Sequence, residues 1–174
     1  MSPGLIVVEG LTELSYCGAF FAAFVLPCPP LQVVAEADPR RAVRTAARTA
    51  GPAWVLLDID PQAGAVRQNQ LRQAIGTAEK QGITVGLSHP SFDYWLWLHG
   101  GEASAPPGPL QTRTLKRTLQ RQSWLPEGYG ALAPERLREG FPGACRIGGK
   151  PTVGDVRQTN PSTNLGPLFR SLLP

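Results

Sequence analysis

Cysteine is scarce. Three are present, Cys17, Cys28 and Cys145, and no two of them stand at a metal-ligand spacing. An odd number in a chain of this size argues against a disulfide framework and for buried free thiols in a reducing compartment. Long apolar runs are also missing. The longest, Ala19 to Leu26, is far too short to span a bilayer and stops at Pro27. The first residues lack the basic segment of a secretory signal, so the expected location is the cytoplasm, with no membrane association. There is no G-x-S-x-G, no phosphate-binding P-loop and no zinc spacing. Those absences remove most support for a hydrolase elbow, an NTPase or a zinc enzyme. Internal repeats are absent too.

The 174 residues suffice for one domain with a sizeable core, and an apolar fraction of 42% is ordinary for a globular protein. We expect a single domain over 1–174, with its core at about 4–100 and a basic, loop-rich part at about 101–174. Proline (18) and glycine (19) are abundant and concentrate after position 100, which predicts longer loops there. Charge is uneven along the chain. Residues 1–100 carry seven Lys/Arg against eight Asp/Glu, and residues 101–174 carry ten against five. A near-neutral half joined to a basic half suits a cation site beside a surface that meets phosphates. The plainer alternative is a basic, soluble surface with no ligand.

Strands and helices alternate four times in the first hundred residues. Leu5 to Val8 reads as a buried strand ending at Glu9-Gly10, and a helix over about Glu13 to Val25 follows with Thr12 as its cap. Leu31 to Ala35 is a second strand and Pro39 to Ala50 a second helix, capped by Asp38. Trp54 to Leu57 is a third strand leading into Asp58-Ile59-Asp60. A helix over Val66 to Gln81, closed by Gly82, precedes a fourth strand at Ile83 to Leu87. Ser88-His89-Pro90 then opens a helix with proline at its first position, running to His99. This pattern predicts an α/β fold, with a mostly parallel sheet flanked by helices on both faces. Beyond it lies a basic helix over Thr112 to Gln122, with Arg113, Arg117 and Arg121 on one face and Lys116 beside them. A short helix is expected near Pro134 to Glu139. Gly166-Pro167 should interrupt the last segment and leave a helix over Pro167 to Leu173.

Acids stand where strands end, and the carboxyl ends of strands are where open α/β sheets bind ligands. Glu9 follows the first strand; Asp58 and Asp60 follow the third. In an extended segment, residues two apart point the same way, so Asp58 and Asp60 can face one ion. Glu9 joins them if strands one and three are neighbours. Three carboxylates in one cleft repel unless a cation neutralises them, and magnesium suits an all-oxygen site that also takes phosphate oxygens. The same acids serve elsewhere as helix caps and turn formers, and Asp60 before Pro61 is an ordinary turn pair. Glu13 has two readings, a ligand or an acid serving its helix N-terminus. His89 and Asp93, at a helix start, can hold an anion or a cation's water. Trp95, Leu96, Trp97 and Leu98 read as core. His99 is either a catalytic group or a cation at a helix end.

Four segments resemble one family. Val7-Val8-Glu9-Gly10-Leu11-Thr12-Glu13, with Tyr16, is similar to the V-E-G-x-T-E opening of RloB-like proteins, part of the wider Toprim superfamily of nucleases, primases and topoisomerases. Asp58-Ile59-Asp60 matches the superfamily's D-x-D. Ser88 to His99 resembles the family's S-N-P-x-F-E-x-W-L-x-x-H, and Asn160-Pro161-Ser162-Thr163-Asn164 its closing N-P-S-T. His89 stands where the family has Asn. Asp93 stands where it has Glu, with the same charge and a shorter reach. The resemblance implies a Toprim-like Rossmannoid fold with Glu9, Asp58 and Asp60 as acids of a Mg2+ (or Mn2+) site. It also implies a prokaryotic setting near restriction and phage-defence genes, often with an ATPase partner. We therefore expect a metal-dependent nuclease that cleaves DNA or RNA phosphodiesters. Glu13, His89 and Asp93 are further catalytic candidates, and Arg113, Lys116, Arg117, Arg121 and Lys150 would hold nucleic acid. The alternative is a weakly catalytic nucleic-acid-binding or regulatory subunit acting with the ATPase. Self-association is compatible with either.

Overall fold

The computed structural model describes residues 3–24, 31–100, 109, 111–120, 133–149 and 152–173. Five strands form one sheet: β1 (Gly4–Val8), β2 (Leu31–Ala35), β3 (Ala53–Asp58), β4 (Thr84–His89) and β5 (Ser162–Thr163). Their order is β2-β1-β3-β4-β5; the first four are parallel and β5 runs antiparallel to β4. The fold is α/β, with a mostly parallel sheet between helices, as the alternation predicts.

The pleat divides the core. Ile6, Val8 and Leu56 face a cluster built with α1 (Leu11–Ala23), α4 (Phe92–His99), α5 (Thr112–Gln120), α6 (Pro134–Gly148) and α8 (Leu165–Ser171). Val7, Val55 and Leu57 face the other way, against α2 (Pro39–Ala46), α3 (Ala65–Lys80) and Val156 of α7 (Val153–Gln158). Most elements lying after residue 100 therefore share one layer with α1 and α4. Among the described residues no helix is long and apolar enough to cross a membrane.

Several boundaries differ from expectation. Helix α1 starts at Leu11 with Gly10 as its N-cap, so Thr12 lies inside the first turn and does not cap it. Strand β4 continues through His89, and α4 begins only at Phe92, so Pro90 precedes the helix instead of opening it. Helix α2 stops at Ala46, while Asp38 caps it as predicted, accepting from the Arg40 and Arg41 amides. Gly82 closes α3 at φ +67°, the left-handed region open to glycine.

The C-terminal part departs most. Helix α6 runs 15 residues, through Gly140, Pro142 and Gly143. Tertiary packing overrides those breakers. A Cβ on Gly140 would stand 2.3 Å from the His99 carbonyl oxygen, and one on Gly148 would stand 2.1 Å from Leu98. Glycine lets α6 lie directly on α4. Helix α8 passes through Gly166-Pro167 without a break, because both lie in its first turn, where the amide N–H groups have no intrahelical partner.

Asn160 to Asn164 straps the edge of β4. Asn164 Oδ1 accepts from Leu87 N at 2.6 Å, and its Nδ2 donates to Val85 O at 2.9 Å. One side-chain amide thus performs the pairing that a neighbouring strand would supply. Thr163 Oγ1 donates to Leu87 O at 2.9 Å and meets Ser88 Oγ at 3.1 Å.

Candidate functional site

Strand order brings β1 and β3 side by side, and the chain turns to opposite sides of that pair: β2 beyond β1, β4 beyond β3. The crevice at their carboxyl ends is a topological switch point, the usual ligand position in such sheets. Glu9 and Asp58 stand on its two lips. Glu9 Oε2 accepts from Asp58 N at 3.0 Å, which fixes the two strand ends to one another.

Four carboxylates feel one another's charge there. Asp58 is pushed well above the usual carboxylate range, first by burial and then by Glu13, Glu9 and Asp93, against a backbone hydrogen bond from Phe92. Glu13 is 5% exposed, and burial with the charges of Glu9 and Asp93 pushes it up to about 7. Glu9 is also raised, chiefly by burial, with Asp60 adding to the effect and Arg67 opposing it. Asp93 is buried in the first turn of α4, where the helix dipole favours an acid. Its neighbour Ser91, 4% exposed, has a hydroxyl with no hydrogen-bond partner.

Each acid also has a local role. Glu13 is the third residue of α1 and folds back to the N-cap, where a Cβ on Gly10 would meet its Oε2 at 3.2 Å. That is one half of a capping box. Asp60 lies past the end of β3, so strand alternation does not carry to it. Its Oδ1 accepts from Gln62 N at 2.9 Å, the turn-forming arrangement, and from Thr112 Oγ1 at 3.4 Å. The latter contact sets the start of the basic helix α5 against the acidic loop. Arg113, Lys116 and Arg117 are exposed on α5, while Leu115 and Leu119 anchor it to the core. Arg121 and Lys150 lie outside the described residues.

His89 is not among the acids. Its Nδ1 donates to Val156 O at 3.2 Å, and burial lowers its pKa. His99 is neither a surface cation nor at the crevice. It is buried between Tyr16 and Trp95, with burial lowering its pKa to about 4. Its Nδ1 donates to Trp95 O at 2.9 Å, so Nε2 is the acceptor for the Tyr16 hydroxyl at 3.2 Å. Tyr16 in turn contacts Phe20, Phe92 and Phe169. Trp95, Leu96 and Leu98 are core, as expected. Cys17 and Cys145 are buried free thiols, with Cys17 pushed up to about 12 by burial; Cys28 lies outside the described residues.

Arg67 was not anticipated. Its guanidinium pairs with Glu9 Oε1 and donates from Nη1 to Ala37 O at 3.0 Å. A cation in the first turn of α3 opposes the helix dipole, and that misfit is the one sequence signal that marks it.

The donor chemistry suits a hard divalent cation: oxygen ligands only, with more negative charge than Arg67 neutralises. Among the described residues, however, no three His, Cys, Asp or Glu side chains stand grouped as ready ligands of one ion. Glu9 is engaged by Arg67 and Asp58 N, and Asp60 by its turn, so those side chains must reorient to share a cation.

A family model described as RloB-like protein matches residues 4–168. No curated protein and no solved structure gave a match.

Proposed function

We propose that this chain, which belongs to the RloB-like protein family, is a magnesium-dependent nuclease of a prokaryotic defence system. The observation that carries the proposal is the convergence of Glu9, Glu13, Asp58 and Asp93 at the β1–β3 switch point, with the basic helix α5 starting against Asp60. Glu9, Asp58 and Asp60 would hold Mg2+ or Mn2+. The chemistry such an ion supplies when bound is stabilisation of phosphate oxygens and a more acidic water. Glu13, titrating near neutrality, is suited to take or give a proton at its carboxyl oxygens. Arg113, Lys116 and Arg117 would hold the phosphate backbone without reading sequence. The test is incubation of purified protein with single- and double-stranded DNA and RNA and Mg2+ or Mn2+. Cleavage should vanish in Glu9→Gln and in Asp58→Asn; cleavage that survives both substitutions removes the site assignment.

One observation favours a second reading. Arg67 already neutralises Glu9, as in a binding or regulatory subunit that needs no metal. That reading predicts oligonucleotide binding without cleavage by the isolated chain, and co-purification with an ATPase partner.

A further inference from the structure

A small cavity opens between α3 and α7, on the sheet face opposite α5. It has a volume of about 180 Å³ and is lined by Ile59, Gln68, Leu71, Arg72, Ile75 and Arg157. A water's share of liquid volume is roughly 30 Å³, so there is room for a phosphoryl group with some of its hydration. Ile59, Leu71 and Ile75 belong to the core and make an apolar floor. The two arginines come from different helices, and among the described residues neither has an acidic partner within ion-pair distance. Both side chains are exposed, and they bring two positive charges and their N–H donors to a cavity that no carboxylate lines. Arginine's planar fork also matches phosphate geometry. Gln68 joins this cavity to the acidic loop: its Nε2 donates to Asp60 O at 2.6 Å.

We infer that Arg72 and Arg157 form a phosphoryl-binding site beside the acidic crevice, which takes a phosphate of the bound nucleic acid. The inference rests on the reading of the chain as a nucleic-acid-binding protein, and it extends the contact track to the side away from α5. The bound group is either a backbone phosphate inside the strand or the terminal 5′-phosphate.

The test is fluorescence anisotropy with a labelled 12-nucleotide single strand, with and without a 5′-phosphate, in EDTA. The metal site thus plays no part. Arg72→Gln and Arg157→Gln should each weaken binding by about three- to tenfold and shallow the salt dependence by about one phosphate contact. The double variant should lose little more than either single one, because both arginines hold one group. Arg136→Gln, an equal charge loss at an exposed position of α6 behind the other face of the sheet, should leave binding nearly unchanged. If the loss appears only with the 5′-phosphorylated strand, and inorganic phosphate competes for it, the site holds a strand end. If both strands lose affinity alike, it holds an internal phosphate. Wild-type affinity in both arginine variants, or an equal loss in Arg136→Gln, overturns the inference. If the unaltered chain binds neither strand, the nucleic-acid reading fails together with it.

Discussion

Glu13 and His99 carry opposite pH signatures. The folded state raises Glu13 from 4.5 to about 7, so its protonated form is favoured by folding. Its contribution is fully present below pH 4.5 and is lost as pH rises through 7. His99 is lowered from 6.5 to about 4, so its contribution is present above pH 6.5 and lost as pH falls toward 4. Between pH 4.5 and 6.5 the two oppose each other, and above 6.5 the Glu13 effect is left uncompensated by His99. In EDTA, Glu13→Gln should therefore gain stability over wild type on going from pH 5 to pH 8, by about 1–3 kcal/mol. Denaturant midpoints at the two pH values check this; a constant difference between the proteins contradicts it. Arg67 belongs to the same scale. Its guanidinium holds one Glu9 oxygen, so Arg67→Gln should tighten Mn2+ binding several-fold in calorimetry. Weaker binding would instead show that Arg67 keeps Glu9 in its ligating position. Arg67's role was not legible by type, whereas Glu13's place at its helix N-terminus was one of its two readings. Glu13 sits in a recognisable motif, but the charge that Asp93 of α4 adds to its surroundings comes from 80 residues further on.

At the scale of elements, the C-terminal segments hold positions that secondary-structure propensity does not indicate. Asn164 completes the β4 edge with both ends of its amide. Asn164→Ala leaves a buried N–H and a buried C=O unpaired and should cost about 2–5 kcal/mol. Asn164→Asp should do no better, because a carboxylate accepts from Leu87 N but cannot donate to Val85 O. Urea unfolding of the two variants measures this, and near-wild-type stability in Asn164→Asp would refute the strap. Gly140 sets the α4–α6 distance. Gly140→Ala should destabilise by about 1–3 kcal/mol, although alanine is the better helix former, because the contact is with backbone that cannot turn aside. Gain of stability in that variant would mean the helices separate without cost.

Across the whole molecule, the distribution of charge is the feature that a cation should act on. Several raised carboxylates meet where β1 and β3 end and α1 and α4 begin, with one guanidinium among them. A divalent cation that binds only the folded state stabilises it by about 2.7 kcal/mol at one hundred times its dissociation constant. Mg2+ or Mn2+ should thus raise the melting temperature, more at pH 8 than at pH 5, where protons compete for the same oxygens. Asp58→Asn should abolish the rise. An equal rise with Na+ at matched ionic strength would reduce the effect to screening.

The sequence by itself determined the α/β class, the first four strands to within a few residues, and the acids at their carboxyl ends. These follow from local patterns: apolar runs of strand length, helix caps such as Asp38, and the glycine at position 82. What only the tertiary structure decided depends on contacts distant in the chain. The pairing of β1 with β3 placed Glu9 beside Asp58, a neighbourhood that alternation along one strand cannot supply. The same pairing left Asp60 in its turn, because β3 ends two residues earlier. His89 went to Val156, and His99 into the core with Tyr16. Arg67 was seen only when α3 packed against the end of β1. The length of α6 was hidden because glycine and proline read locally as breaks, whereas here Gly140 admits the backbone of α4 and Gly148 the Leu98 side chain. The strand-end acids were legible because a strand's end is a local event; their convergence was not, because it is set by which strands lie side by side.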